Sequence, residues 1–244
     1  RGVLVTTGMT GTGKSTTLAC MIEHINQNLG KHIISLEDPI EYIFEDKKCV
    51  VEQREVGVDV QSFESGLKHI LRQDPDIILL GEMRDRSSFE TALTAAETGH
   101  LVLTTLHTNT ATQTINRILD MYPHEERGAV RMSLSQNLRG IICQRLVPRA
   151  DGNGMVPAVE LLQSSPSVRK AIAEGELDVL PKLLEGGKDS GMQSFNMALL
   201  DLINNGDITE EDGLAISDNP EALRMNLQGI FLSAESGGIT KSKS

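Results

Sequence analysis

Short apolar runs alternate with helical patterns along the first two thirds of the chain. Four runs have the length of buried strands, at residues 3–5, 32–36, 76–80 and 101–106. The run at 76–80 has no polar interruption, which is typical of a strand covered on both faces. Alternation of such strands with helices predicts an α/β fold built on a mostly parallel sheet.

The stretches between these runs have helical periodicity. The residues that follow the first run are apolar at one helical face: Leu18, Met21, Ile22, Ile25 and Leu29. Further helices are predicted over 62–73, with Ser62 or alternatively Ser65 as N-cap, and over 87–98, 110–121 and 123–138. Residues 49–54 predict a strand at a sheet edge.

The pattern changes after residue 138. Apolar segments at 140–147 and 155–162 flank the turn sequence Asp-Gly-Asn-Gly, which predicts a hairpin. Short helices are predicted from residue 164 onward, among them 191–204 and a last one over 220–232, and Thr209-x-x-Asp212 between them resembles a capping box. We therefore expect an α/β core over residues 1–163, a small C-terminal helical subdomain over 164–236 and a disordered tail over 237–244.

Composition narrows the function classes. A formal net charge of −11 argues against free binding to nucleic acid, which usually requires a basic face. The three cysteines, Cys20, Cys49 and Cys143, are widely spaced and form no zinc pair, so reduced thiols in a cytosolic protein are expected. No apolar run approaches membrane-spanning length. The chain begins without Met directly before a strand, and we expect it to be a fragment of a longer protein.

A glycine-rich loop joins the first strand to the first helix. It reads G-x-x-x-x-G-K-S, and glycine there permits the positive φ angles and close backbone approach that a phosphate group needs. Lys14 is expected to reach the outer phosphates, and the Ser15 hydroxyl to bind Mg²⁺. The candidate nucleotide-binding residues are Gly8, Thr10, Gly11, Thr12, Gly13, Lys14, Ser15 and Thr16.

Two other interpretations of this loop agree less well with its residues. An ordinary glycine turn before a helix does not explain the Lys-Ser pair at this position. A dinucleotide-binding fold requires a third glycine, where this chain has Lys14, Ser15 and Thr16.

Acidic and histidine residues follow three other strands. Glu82 is the candidate water-orienting base, although Gly81 occupies the position where many such enzymes carry an aspartate. Glu37 and Asp38 could support water and metal, and His107 could sense a γ-phosphate. The alternatives are a solvated acid at a strand end, a turn-capping carboxylate and a structural histidine.

Taken together, four segments resemble the motifs of the secretion ATPases that drive type IV pili and type II secretion. GMTGTGKSTT, LEDPIE, LLGEMRD and TGHLVLTTLHT match that family's Walker A, Asp, Walker B and His boxes in order and spacing. The resemblance implies a RecA-like P-loop core that hydrolyses ATP with Mg²⁺. Residues 191–202 are similar to the PilT/PilU retraction branch, and the choice between its two members stays open because residues 167–174 depart from the retraction signature.

The resemblance also implies an assembly and a location. It implies a homohexamer that powers pilus retraction and twitching motility, acting in the cytoplasm on an inner-membrane platform protein, without nucleic acid or direct membrane insertion. Family members carry an N-terminal PAS-like domain whose arginines reach the neighbouring subunit's phosphates. We therefore expect this fragment to bind nucleotide but to hydrolyse it poorly and assemble weakly. Within the chain, Arg84, Arg139 and Arg145 are candidates for an arginine acting in trans.

Other functions remain open from the residues alone. An assembly-type secretion ATPase usually carries a four-cysteine zinc motif, which this chain lacks. A P-loop phosphotransferase would need an arginine-rich lid and an acceptor pocket. A RecA-like DNA motor conflicts with the acidic balance. A nucleotide-dependent scaffold would bind without releasing phosphate.

Overall fold

The architecture is a twisted sheet with helices packed on it. In the computed structural model of the chain, residues 1–232 and 239–241 are described. The strands are β1 (Gly2–Thr7), β2 (His32–Glu37), β3 (Val50–Glu55), β4 (Ile77–Glu82), β5 (Leu101–Leu106), β6 (Leu138–Pro148), β7 (Met155–Gln163), β8 (Ile230–Leu232) and β9 (Ile239–Lys241). Seven of these form one sheet in the order β3-β2-β4-β5-β1-β6-β7.

The sheet confirms the predicted α/β class. Strands β1 to β6 pair in parallel, and β7 returns antiparallel to β6 as the predicted hairpin. The edge position of β3 is also confirmed. Because the carboxyl ends of β1, β2, β4 and β5 lie at one edge of the sheet, the segments that follow these strands meet there.

Seven of the ten α-helices in the described residues begin at a residue whose side chain caps the helix. The helices are α1 (Lys14–Asn28), α2 (Phe63–Ile70), α3 (Arg86–Glu97), α4 (Ala111–Asp120), α5 (Arg127–Asn137), α6 (Pro166–Glu174), α7 (Leu180–Gly186), α8 (Phe195–Asn204), α9 (Glu210–Ile216) and α10 (Pro220–Leu227). The predicted cap Ser62 accepts a hydrogen bond from the N–H of Ser65, and Thr209 caps α9 in the same way.

Four predicted helices have a different boundary in the structure. The helix predicted over 191–204 begins at Phe195, because the Ser194 side chain caps it there. The helix predicted over 62–73 ends at Ile70, and residues 71–73 continue as turns in which the N–H groups of Arg72 and Gln73 bond to carbonyls three residues back, before Asp74 adopts a φ of 52°. The helix predicted over 123–138 begins as a 3-10 turn over His124–Glu126, ahead of α5. The helix predicted over 220–232 ends at Leu227, because Gly229 adopts a left-handed φ of 76°, and the chain continues into β8.

Two clusters of buried hydrophobic side chains pack the helices against the sheet. The smaller group lies under α1 and contains Leu18, Ile22, Ile33, Ile77 and Leu103. The larger one is continuous from β1 through α3 and α4 to α8, so described residues on both sides of residue 163 share it. The division of the chain into a core and a C-terminal subdomain stays a prediction.

Part of the C-terminal end is outside the described residues. Of the segment predicted as a disordered tail, residues 239–241 form β9, which pairs antiparallel with β8. Residues 237, 238 and 242–244 are not among those described. In the described part of the chain, no helix is both long and apolar enough to cross a membrane.

Candidate functional site

The loop between β1 and α1 has the backbone conformation predicted from its glycines. Gly11 and Gly13 adopt φ angles of 80° and 87°, and Gly13 is the N-cap of α1. Gly8 is closely packed, since a Cβ there would lie 2.6 Å from the carbonyl oxygen of Gln144. The loop can therefore turn its N–H groups, together with the positive end of α1, toward an anion.

Lys14 is the buried cation of this loop. It is 8 % exposed, and its Nζ donates hydrogen bonds to the carbonyls of Gly8 at 2.9 Å and Met9 at 3.1 Å. Burial lowers the pKa of Lys14, and the carboxylates of Glu82 and Glu41 oppose that shift. The ammonium group thus faces the acidic residues across the site as well as its own loop.

A pocket of about 650 Å³ opens beside the loop at the carboxyl edge of the sheet. Its lining brings together residues from the loop, from the ends of β2, β4 and β5, and from the segment that follows β2. Most of the predicted site residues line it: Thr10, Gly11, Gly13, Lys14, Ser15, Thr16, Glu37, Asp38, Glu82 and His107. Its volume falls within the range of small-molecule and cofactor sites.

Gly8 and Thr12, also predicted to bind nucleotide, are not among the lining residues. Thr12 instead donates a hydrogen bond from its hydroxyl to the carbonyl of Met9 at 2.8 Å. A Cβ on Gly8 would also collide with this threonine hydroxyl. Both residues therefore contribute to the conformation of the loop and do not line the pocket.

Glu82, the last residue of β4, is held by two side chains. Arg84 donates to its Oε2 at 2.9 Å, and Nε2 of His107 lies 3.2 Å from its Oε1. The Glu82 side chain is 27 % exposed, so it is accessible from the pocket. The predicted base and the predicted γ-phosphate sensor are therefore in direct contact.

Glu37, the last residue of β2, has neutral partners. The Ser35 hydroxyl donates to its Oε1 at 2.6 Å, and the Gln53 amide donates to the same oxygen at 3.4 Å. Burial raises the pKa of Glu37, and these two hydrogen bonds oppose the shift. Among the described residues, the side chains that donate to this carboxyl are uncharged, and the nearby Glu41 carboxylate adds to the rise in its pKa.

Oxygen ligands suited to Mg²⁺ lie on the pocket wall. Ser15 and Asp38 line the pocket together with Glu37 and Glu82. In the described residues, no group of three or more acidic, histidine or cysteine side chains forms a metal cage. This donor set fits Mg²⁺, which usually takes only one or two protein oxygens and completes its shell with phosphates and water.

The His107 segment is fastened to the end of β1. The Thr7 hydroxyl accepts a hydrogen bond from the N–H of Thr108 at 2.8 Å. The same hydroxyl donates a hydrogen bond to the carbonyl oxygen of Thr108, also at 2.8 Å. The Thr108 hydroxyl shares a hydrogen bond of 2.7 Å with Thr114 of α4. His107 therefore has a fixed relation to the glycine-rich loop, which starts one residue after Thr7.

The three arginines that are candidates for acting in trans have different surroundings. Arg84 contacts Glu82 of its own chain. Arg139 lies near the amino end of β6, at the opposite edge of the sheet, and donates to the carbonyl of Arg1. Arg145 is 15 % exposed, stacks on the Phe195 ring and binds Asp218. Of the three, Arg84 alone lines the pocket.

Sequence reasoning missed several polar and aromatic residues of the site. Tyr42 and Phe44 line the pocket from the segment after β2, and the Tyr42 hydroxyl shares a hydrogen bond of 2.8 Å with Thr16. Gln53 reaches the site from β3. Tyr42 stands one residue after the acidic block, which was the available signal, whereas Gln53 becomes recognisable only from its register with Ser35.

Comparison with known proteins agrees with this geometry. Residues 1–175 match the family model described as Type II/IV secretion system protein. The chain is 47 % identical to the type IV pilus ATPase PilU of Pseudomonas aeruginosa, over 93 % of this chain and 60 % of that protein. It is 45 % identical to PilT of the same organism, described as a type IV pilus retraction ATPase, over 91 % of this chain and 64 % of PilT.

A solved structure extends the comparison to the fold. The crystal structure of the pilus retraction motor PilT with bound ADP superposes with a TM-score of 0.84 at 50 % identity, covering 90 % of this chain and 62 % of that one. The chain thus spans about three fifths of the length of the relatives it matches. On its matched residues and its RecA-like fold, the chain belongs to the type II/IV secretion system protein family.

Proposed function

We propose that this chain binds Mg-ATP in the pocket described above and hydrolyses it. The observation that carries the proposal is the convergence of Lys14 and Ser15 with Glu37, Glu82 and His107 on one pocket at the carboxyl edge of the sheet. An amide-lined loop with a buried lysine is suited to phosphate, and carboxylates across the pocket are suited to water activation.

Each residue has a defined role in this reaction. N–H groups of the loop and the Lys14 ammonium hold the phosphates, and Glu82 accepts the proton of the attacking water. Glu37 orients that water, and His107 donates a hydrogen bond to the γ-phosphate. Mg²⁺, when bound, supplies charge neutralisation on the phosphates and would be held by the Ser15 hydroxyl and Asp38.

We further propose that the protein works as a hexameric motor of pilus retraction and twitching motility. PilT and PilU, both named as type IV pilus ATPases, support this assignment through their identity over more than nine tenths of this chain. The expected partners are further copies of the same protein and an inner-membrane platform protein of the pilus. The expected location is the cytoplasmic side of the pilus base.

The proposal predicts that Lys14→Ala loses nucleotide affinity. A charge-assisted hydrogen bond contributes about 1.5–3 kcal/mol, so the Kd for Mg-ADP should rise about 10- to 100-fold. Isothermal titration of purified parent and variant measures the change. Lys31→Ala is the matched control, because Lys31 pairs with Asp76 at the opposite edge of the sheet.

Two results would contradict the proposal. Unchanged affinity in Lys14→Ala would remove the loop from nucleotide binding. Nucleotide binding without any phosphate release by the full-length protein would favour a nucleotide-dependent scaffold instead.

A further inference from the structure

Four polar side chains lie on one face of β2 and β3, the two parallel strands at one side of the sheet. In the pairing of β2 with β3, Ser35 is opposite Gln53 and Glu37 is opposite Glu55. Because alternate residues of a strand share a face, these four side chains project from the same side of the sheet. The side chains of β3 therefore lie next to Glu37 and can determine how its carboxyl group is held.

Gln53 makes three hydrogen bonds with a single amide group. Its Nε2 donates to the carbonyl of Tyr42 at 2.8 Å and to Oε1 of Glu37 at 3.4 Å. Its Oε1 accepts from the N–H of Phe44 at 2.9 Å. The oxygen and the nitrogen of the amide both bond to the backbone of residues 42–44, and the nitrogen also bonds to the carboxyl group of Glu37.

The segment held by Gln53 forms one wall of the pocket. Tyr42 and Phe44 both line the pocket, and the Tyr42 hydroxyl bonds to Thr16 in the first turn of α1. A shift of this segment would therefore change the surroundings of the phosphate-binding turn as well as those of Glu37.

Other anchors hold the ends of the same segment. The N–H of Ile40 donates to Glu55 at 3.0 Å, and Asn26 donates to the carbonyl of Glu45 at 2.7 Å. Gln53 acts between these anchors, on the part that faces the pocket. Loss of its amide should thus disturb that part while the segment stays attached at both ends.

We propose that Gln53 is a positioning residue for ATP hydrolysis, holding Glu37 and residues 42–44 in one arrangement. The inference rests on the proposed function of the pocket. Gln53 is suited to this role because it is a neutral donor that orients a half-buried carboxyl group without placing a charge beside it. The Ser35 hydroxyl, which bonds to the same oxygen of Glu37, acts in the same way.

The test is steady-state ATP hydrolysis by the full-length protein carrying Gln53→Met. Methionine keeps the size of the side chain and removes all three hydrogen bonds. We expect kcat to fall about 10- to 100-fold, as when groups that orient a ligand shell are lost, with the Kd for Mg-ADP changed less than about threefold. Gln73→Met is the matched control, because Gln73 accepts from Arg54 of β3 and does not line the pocket.

A second variant guards against a folding defect in the first. Gln53→Glu keeps the acceptor for Phe44 and puts a carboxyl group beside Glu37. We expect kcat to fall about as far as in Gln53→Met, with the Kd for Mg-ADP again changed less than about threefold, because the amide donor to Tyr42 and Glu37 is lost in both variants. A folding defect would weaken Mg-ADP binding together with kcat, whereas loss of positioning lowers kcat at nearly unchanged affinity.

A double-mutant cycle tests whether Gln53 affects hydrolysis through Glu37. If Gln53 acts through Glu37, adding Gln53→Met to Glu37→Gln should cause little further loss of kcat, whereas independent action would make the two losses multiply. A parent protein that does not hydrolyse Mg-ATP would overturn the proposed function. A parent that hydrolyses ATP while both Gln53 variants match it would overturn the positioning role alone.

Discussion

The carboxyl ends of β2 and β4 carry two of the glutamates of the site in contrasting environments. Glu82 on β4 touches the guanidinium of Arg84 and the imidazole of His107. Glu37 on β2 receives hydrogen bonds from the neutral Ser35 and Gln53, and burial raises its pKa. The two strands are adjacent and parallel, so the difference comes from the side chains that surround each end and not from the backbone.

This contrast separates the roles of the two carboxyl groups. Neighbouring titratable groups in unlike environments can perform different parts of one reaction. Glu82 contacts His107, the proposed sensor of the γ-phosphate, and this position suits a group that accepts the proton of the attacking water. Glu37, restrained by neutral donors, suits the orientation of water and of metal-bound groups.

The largest effect is expected for Glu82→Gln. An amide cannot accept the proton of the attacking water, so hydrolysis should fall about 10²- to 10⁴-fold. Nucleotide affinity should remain, because the loop and Lys14 are unchanged. Phosphate release by the full-length variant, together with titration by Mg-ADP, measures both quantities.

A matched control for this substitution is Glu64→Gln. Glu64 is an exposed carboxylate on α2 that pairs with Lys68 away from the pocket. Substantial turnover in Glu82→Gln would transfer the role of base to another group, and the assignment of roles to the two strand ends would be wrong.

An intermediate effect is expected for Glu37→Gln. The amide keeps the size of the side chain and can still accept from Ser35, but it loses the charge that orients water and metal. Activity should decrease about 10- to 100-fold, the range for groups that support a metal shell. The same hydrolysis assay measures it, and a loss as large as that of Glu82→Gln would remove the distinction between the two glutamates.

The raised pKa of Glu37 makes a second prediction, about stability. Burial favours the protonated carboxyl in the folded state, so that contribution to stability is present below the ordinary pKa of 4.5 and is lost as the pH rises through the raised value. The unfolding temperature of Glu37→Gln should therefore increase relative to the parent as the pH rises from about 4.5. A difference that does not vary with pH would contradict the cause given for the shift.

The smallest effect is expected for Arg84→Ala. Exposed ion pairs contribute about 0–1 kcal/mol, so losing the bond to Glu82 should change turnover by less than about tenfold. A loss of 10³-fold or more in the assembled protein, about the contribution of an arginine finger, would instead show that Arg84 acts on phosphate. Hydrolysis assays at several protein concentrations separate an effect on assembly from one on chemistry.

Much of the site could be predicted because its signals are local. Gly11, Gly13, Lys14 and Ser15 are adjacent in sequence, and their conformation follows from glycine chemistry and the helix that starts there. The acidic residues could be placed because parallel strands deliver their ends to one edge.

The parts that could not be predicted depend on distant contacts. Gln53 joins Glu37 and Phe44 only through the register of two strands, which no local pattern encodes. The apolar pattern of the last predicted helix continues to residue 232, yet a single left-handed glycine, Gly229, redirects the chain into a strand. Tertiary pairing and one backbone angle thus override a periodic sequence.

The bonds between Thr7 and Thr108 make one side of the pocket a single rigid unit. Separating the glycine-rich loop from His107 would break two hydrogen bonds, which costs about 1–3 kcal/mol. The opposite side, formed by residues 42–44, is held at its centre by the amide of Gln53 and the Tyr42–Thr16 hydrogen bond, and beyond its ends by Glu55 and Asn26. The two sides of the pocket are therefore fixed in different ways, one by a direct bond between neighbouring strand ends and the other by side chains that reach a loop.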